Sequence, residues 1–318
     1  MDVKKIVRIA RLYYEVGLTQ EQIAQQEGVS RATISRALDA AFKQGIIEIR
    51  IKYPMGSVEE LEEELMRRFK LKKAVVVPVI VPHQEIIKKD VGRAVARFLA
   101  TIVRSGDIIG ISWGTTMAAV AEQLERTERV GVTIVQLNGG VGKSTFSTNA
   151  SMILDCFAKA FSATPYSLPV PAIVDSPEIA KSIMSDSRIK GTLDLGEDSR
   201  IAIFGIGRAS VESILFKSGY FSKEEYEALL SKGAVGDICS RFFDIGGRIC
   251  DATLDARTIG VSLDKLKDKD YSIAVAAGEE KSQAVLGALH GGYFNCLFID
   301  ENTARKALQD MNKGEHIK

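Results

Sequence analysis

The chain has 318 residues, 46% of them hydrophobic and 26% charged, with a formal net charge of +1. That length supports a full core and two domains, and the near-neutral balance excludes a protein that coats nucleic acid or a membrane through a global basic field. No apolar run reaches eighteen residues, and the four cysteines (Cys156, Cys239, Cys250, Cys296) and three histidines (His83, His290, His316) lack metal-ligand spacing, so a cytoplasmic, reduced protein with no metal, no cofactor and no membrane span is expected.

The pattern predicts a first helix over 3–16, closed by Gly17. Thr19 stands three residues before Gln22, the spacing of a capping box that starts a second short helix. Gly28 suits the left-handed turn that ends it, and Ser30 is a natural N-cap for a third helix. Leu18, Ile23, Ala24, Ile34, Ala37 and Leu38 form the inward stripe. The face left over carries Arg31, Ala32, Thr33, Ser35 and Arg36, short or guanidinium side chains of the kind that reach base edges and phosphates. Two short helices joined by a tight turn in this way have the form of a helix-turn-helix. Candidate DNA contacts are therefore Gln22, Ser30, Arg31, Thr33, Ser35 and Arg36. A plain helical hairpin would carry more Glu, Lys and Gln on that face.

Residues 46–52 alternate apolar and charged side chains, as a half-buried strand does; Arg50 and Lys52 on one side would suit a β-wing, and a mere linking strand fits equally. Residues 1–52 hold nine Lys/Arg against six Asp/Glu, whereas the remainder holds 33 against 35. Positive charge is thus concentrated modestly at the DNA-reading end. Tyr53-Pro54-Met55-Gly56 breaks the pattern, so the expected domains are 1–53 and 57–318. A helix is expected over 57–70, capped by Ser57 and Glu60, either pairing with a second subunit or packing on its own domain.

From Ala74 onward strands alternate with helices. Apolar runs at 74–80, 107–112, 132–137, 201–206, 271–278 and 295–300 read as buried strands, with helices at 85–104, 116–123 and 150–160 between them. The fold class is therefore α/β, with a large doubly wound parallel sheet behind the small reader. Ligands of such sheets bind beyond the carboxyl ends of the strands. Loops there pair glycine with hydroxyl, amide or basic groups: Trp113-Gly114-Thr115-Thr116, Asn138-Gly139-Gly140, Gly207-Arg208-Ala209 and Gly278-Glu279-Glu280-Lys281. Glycine lets backbone N–H groups approach a ligand, and a helix start favours an anion, so a phosphate fits. Asp237, behind an unshielding Gly-Ala-Val-Gly segment, could accept from two sugar hydroxyls or could cap a following helix.

GGVGKS at 139–144 looks like a P-loop, but the glycine that the full pattern needs at 137 is Leu, and the partition-type variant needs a lysine where Asn138 stands. Asp300 at a strand end imitates a Mg²⁺ carboxylate only as an isolated match.

Taken together, the helix-turn-helix, SWGTT, QLNGG, GDICSRFFD and AAGEEKSQAVLGAL resemble the SorC family of bacterial sugar-responsive transcriptional regulators, and within it the deoxyribonucleoside regulators, over essentially the whole chain. The resemblance implies an effector domain similar to sugar-phosphate isomerases but without their activity. It implies a phosphorylated sugar held by Gly114, Thr115, Thr116 and Lys281 at the phosphate and by Asp237, Asn138 and Gly139 at the sugar, with Gly207 in the same rim. Members that trap an aldehyde sugar as a Schiff base carry lysine in the QLxGG slot; this chain carries Asn138, which has no amine to react. The expectation is a non-enzymatic repressor of carbohydrate or deoxyribonucleoside catabolism, a homodimer or homotetramer on operator DNA. The alternatives are a sugar-phosphate enzyme with Asp237 as base, and a P-loop ATPase.

Overall fold

Seven parallel strands, in the order β1-β10-β9-β5-β2-β3-β4, form the sheet on which the larger part of the chain is built. They are β1 (Lys73–Val77), β2 (Ile108–Ile111), β3 (Thr133–Gln136), β4 (Thr164–Tyr166), β5 (Ile201–Gly205), β9 (Tyr271–Ala276) and β10 (Cys296–Asp300). A second, antiparallel sheet holds β6 (Gly207–Arg208), β7 (Ala234–Ile238) and β8 (Arg241–Asp244). The computed structural model describes residues 2–47, 58–140 and 148–315, with side chains as far as 312. It divides into Met1–Pro54 and Met55–Lys318.

In the first unit, helices α1 (Val3–Tyr14), α2 (Gln20–Glu27) and α3 (Arg31–Lys43) enclose a core of Ile9, Ile23, Ala24, Ile34, Ala37 and Leu38. The turn works as its residues dictate. Thr19 and Gln22 form a reciprocal capping box, Gly28 is left-handed at φ 64°, and the Ser30 hydroxyl accepts from Thr33 N. An Arg8–Glu27 ion pair at 2.5 Å ties α1 to the end of α2. The strand expected over 46–52, with Arg50 and Lys52, lies almost wholly outside the described residues.

In the second unit, alternate residues of each buried strand serve opposite faces of the sheet. Leu297 and Ile299 of β10 join one core with Leu61 and Leu65 of α4 (Glu59–Phe69) and with the helices Ser282–Gly291 and Glu301–Glu315. Cys296 and Phe298 join the other, with α5 (Gln84–Ile102), α6 (Thr115–Ala121) and α7 (Ala150–Phe161). Both faces are thus covered, which explains the near-continuous apolar strands. Helix α4 packs on its own domain, where Leu61 and Leu65 are buried. Its start differs from expectation, because Val58 is the N-cap and makes no side-chain cap bond; Ser57 lies outside the described residues.

Two expectations about loops are corrected. No helix follows Asp237. The chain turns through Cys239 and Ser240, both at positive φ (50° and 67°), straight into β8. Nor does Gly207 open a helix; it pairs with Asp237 across the β6–β7 ladder.

Candidate functional site

The strand order reverses direction around β2 and β5: β3 and β4 continue to one side of β2, and β9, β10 and β1 lie beyond β5. A crevice is expected at the carboxyl ends of such strands. A cavity of about 390 Å³ lies there, within the size range of small-molecule sites. It brings together Gly114, Thr115 and Thr116 after β2, Asn138 after β3, Gly207 after β5, Asp237 on β7, and Lys281 after β9. These are seven of the eight residues expected to touch an effector.

The eighth, Gly139, does not line the cavity. A Cβ on it would sit 2.3 Å from the Pro171 carbonyl oxygen, so its glycine is required by packing. Its N–H donates to Ile259 O, and its own carbonyl accepts from Trp113 Nε1 at 2.7 Å. The bond from Trp113 locks the loop after β2 to the loop after β3.

On one wall, Gly114 takes φ 122°, a conformation that side chains resist, and the helix it opens has no side-chain cap. The first-turn N–H groups of Thr115 and Thr116 are therefore uncapped within reach of the cavity. Lys281 Nζ donates to Thr116 Oγ1 at 3.0 Å. Burial pushes the Lys281 amine down to about 8, against the opposing pull of Glu280, Asp237 and Asp300. Its short helical turn is held by Gly278 N donating to Asp300 Oδ2 at 2.8 Å. Asp300 is fully buried, and its oxygens also accept from Thr303 N and Oγ1. Both carboxylate oxygens thus help to hold the turns after β9 and β10.

On the other wall, the β7–β8 turn organises the polar groups. Left-handed Ser240 points its N–H at Asp237 Oδ2 (3.2 Å), and its hydroxyl accepts from Asn138 Nδ2 (3.1 Å). Asn138 is 1% exposed, and its Oδ1 has no hydrogen-bond partner. Burial pushes the Asp237 carboxyl up to about 6, although the Ser240 N–H and Lys281 pull it down. Gly207 faces that carboxylate: a Cβ there would meet Asp237 Oδ1 at 2.1 Å. Gly236, the glycine of the GDICS stretch, lets β7 lie against the Ser282–Gly291 helix, since a Cβ would be 2.5 Å from Ala284 Cβ. The buried Arg241 guanidinium donates to the carbonyls of Asp255, Thr258, Gly260 and Val261 and to Asp255 Oδ1. That fixes the strip whose Gly260 bridges Asn138.

Arg208, in a loop that the sequence singles out, lines the cavity as expected of that loop; sequence reasoning did not find Ser240 or residues 210 and 212–215, which line it too. Positive φ at a serine leaves no composition signal, and the 210–215 segment has no periodicity. The tract over 141–147, with Lys143 and most of the P-loop-like run, lies outside the described residues. Among the described residues no group of three or more His, Cys, Asp or Glu could hold a metal.

In the first unit, Arg31, Ser35 and Arg36 are exposed on α3, and Thr33 is half-buried. Gln22 and Ser30 are exposed but already used as caps: Gln22 Oε1 accepts from Thr19 N, and Ser30 Oγ accepts from Thr33 N. The carboxylates close in sequence are engaged elsewhere, Glu27 with Arg8 and Asp39 with Lys43. The Arg31 guanidinium makes no ion pair among the described residues.

Known proteins resemble the chain along most of its length. Residues 53–309 match the family described as "Putative sugar-binding domain", and residues 1–45 match a homeodomain-like domain. The chain is 40% identical over 305 residues to the deoxyribonucleoside regulator of Bacillus subtilis (strain 168), covering 96% of this chain and 97% of that protein. It is 35% identical to the sorbitol operon regulator of Klebsiella pneumoniae, covering 97% and 98%. The crystal structure of that full-length regulator, SorC, superposes with a TM-score of 0.77 at 34% identity, covering 97% of this chain and 99% of the other. A domain of a possible sugar-binding transcriptional regulator from Arthrobacter aurescens TC1 gives 0.74 at 31% identity, over 80% and 99%. Among the described residues no helix is long and apolar enough to cross a membrane.

Proposed function

This chain belongs to the SorC family, DNA-binding transcriptional regulators of sugar metabolism with a sugar-binding domain, and from that premise we propose that a phosphorylated sugar in the strand-end cavity controls its grip on operator DNA. The observation that carries the proposal is the half-buried Lys281 ammonium, hydrogen-bonded to Thr116 beside uncapped N–H groups, in the same cavity as the Asp237 carboxylate. A cation and N–H donors suit a phosphate; acceptors suit hydroxyls. Gly114, Thr115, Thr116 and Lys281 hold the phosphate, and Asn138 and Asp237 hold the sugar, with Gly207 making room. The sugar is bound reversibly and is not turned over.

Arg31, Ser35 and Arg36 read the operator, with Thr33 at the edge of the contact; Gln22 and Ser30 shape the helix starts and touch the backbone. One such unit contacts too little DNA for useful specificity, so the protein acts in the cytoplasm as a homodimer or homotetramer on a palindrome with half-sites about 34 Å apart or a multiple of that. Its role is that of a repressor of carbohydrate or deoxyribonucleoside catabolism. The ligand acts by binding one arrangement of subunits better than another, and its effect is limited by that difference.

The test is a melting-temperature screen of phosphorylated sugars against their unphosphorylated counterparts. A ligand of the native state raises the melting temperature. The expected result is a rise with at least one phosphorylated sugar, absent for its free sugar and absent in Lys281→Met. No rise with any phosphorylated sugar would contradict the proposal.

A further inference from the structure

We propose that the buried hydroxyl of Tyr226 fixes the part of the cavity wall formed by residues 210–215, and that Tyr226 is thereby a positioning residue for the bound effector. The inference rests on the phosphosugar reading above and adds to it a residue that does not itself line the cavity.

The starting point is a wall with no core of its own. Ser210, Glu212, Ser213, Ile214 and Leu215 line the cavity. From Gly207 to Ile214, however, no residue is buried, and Val211 is 45% exposed. Burial resumes at Leu215, which joins the cluster around Tyr226 and Phe242. A stretch with so little buried apolar surface opens locally with ease unless hydrogen bonds hold it.

Tyr226 supplies that hold. It lies on the Lys223–Ser231 helix and is fully buried, with the rings of Phe216, Phe221 and Phe242 at centroid distances of 5.0, 5.3 and 6.1 Å. Its hydroxyl accepts from Ser210 N at 3.0 Å and shares a hydrogen bond with Ser213 Oγ, also at 3.0 Å. Ser213 N donates to Ser210 O at 2.8 Å, so both ends of one tight turn meet at a single oxygen. Ser213 Oγ in turn accepts from Phe216 N and caps the short Ile214–Lys217 helix. Upstream, Ala209 N donates to Val235 O at 3.0 Å. Burial pushes the Tyr226 phenol up to about 12, so it remains a neutral hydroxyl near pH 7.

This anchoring has a consequence for binding. Without the phenol oxygen, the Ser210 N–H and the Ser213 hydroxyl lose their common partner, and the wall from 210 to 215 is left to local opening. A ligand enclosed by that wall binds only those molecules in which the wall is in place. A wall in place about a tenth of the time weakens apparent affinity about tenfold.

Tyr226→Phe removes the oxygen and keeps the ring. Hydrogen exchange is read by mass spectrometry on the ligand-free full chain, well below its melting temperature. The expected result is exchange about tenfold faster over 209–217 in the variant, with β2 and β9 unchanged. Ribose 5-phosphate, glucose 6-phosphate and the other phosphorylated sugars of the screen are then titrated against both proteins, followed by the fluorescence of Trp113, the single tryptophan and a residue of the cavity. Each sugar phosphate that binds wild type is expected to slow exchange over 209–217 and to bind the variant about tenfold more weakly. Equal affinities, or exchange unchanged by the substitution, would overturn the role of Tyr226 and leave the phosphosugar reading intact. Binding by no phosphorylated sugar would overturn both. Should Tyr226→Phe fail to fold, Ser213→Ala leaves the aromatic cluster untouched and is held to the same two outcomes.

Discussion

Gly207 occupies a position where one methyl group would remove a charge from the site. Its Cβ would fall 2.1 Å from Asp237 Oδ1, a distance at which the carboxylate must swing away. Gly207→Ala should therefore leave the melting temperature of the free protein within a few degrees of wild type and abolish the shift given by a bound sugar phosphate; an unchanged ligand shift would show that Asp237 does not touch the sugar. With the sugar phosphate bound as proposed, the two titrating groups set the pH range of binding. Below about pH 6 Asp237 takes up a proton and stops accepting fully, and above about pH 8 Lys281 loses the charge that faces the phosphate. Affinity is expected to fall at both ends. Lys281→Met should flatten the alkaline limb. Asp237→Asn should make the acid limb shallower, leaving the part due to the phosphate's own protonation near pH 6. Limbs of unchanged steepness in both variants would contradict the assignment. The same raised Asp237 works against stability as pH climbs from its ordinary value of 3.8 to about 6, because the folded chain holds that proton longer than the unfolded one. At the DNA end, Arg31→Ala should weaken specific operator binding by about 1–3 kcal/mol and relax preference at one base pair. A uniform loss across sequences would reassign Arg31 to the phosphate backbone. Residue types that bear chemistry were legible from sequence, since glycine, lysine and aspartate at strand ends narrow the options. Roles set by contact were not: Gly139 looks like Gly207 in the sequence, yet one serves packing and the other makes room for a carboxylate.

At the level of elements, the parallel strands were legible because burial on both faces forces near-continuous apolar runs. The exceptions have physical reasons. β4 carries Pro165, lies at the sheet edge and is exposed throughout, so neither hydrophobicity nor pairing marks it. β7 and β8 are short and interrupted by Gly236, Asp237, Arg241 and Asp244, and their turn uses Cys239 and Ser240 where Asn-Gly would have announced a hairpin. That non-glycine turn costs backbone energy, and it is the turn that aims Ser240 at both Asn138 and Asp237. Helix α4 gives the cleanest test of packing. Leu65 is fully buried against the sheet, so Leu65→Ala should cost about 2–5 kcal/mol in urea unfolding of the large unit. A loss under 1 kcal/mol would show that α4 is not part of that core. In the small unit, Thr19→Ala removes half of the capping box and should cost about 1 kcal/mol, followed by the helical signal on heating.

For the whole molecule, the proposed control of DNA binding is one thermodynamic condition: the ligand must bind the operator-bound and operator-free arrangements with different strengths. Reciprocity then requires that operator DNA change the affinity for the sugar phosphate by the same factor that the sugar phosphate changes the affinity for operator. The modest excess of positive charge in residues 1–52 fits a paired reader of a specific site more than a general DNA coat, and salt should weaken binding in proportion to the few phosphates contacted. The most direct measurement is a titration of a fluorescent fragment carrying the palindrome footprinted upstream of the chain's own gene, at fixed salt, with and without the sugar phosphate that raises the melting temperature most, in wild type and Lys281→Met. The expected result is a change in operator affinity of about fivefold or more on adding ligand to wild type and none in the variant. A ligand that binds the wild-type cavity and leaves operator affinity unchanged would contradict the coupling on which the account rests.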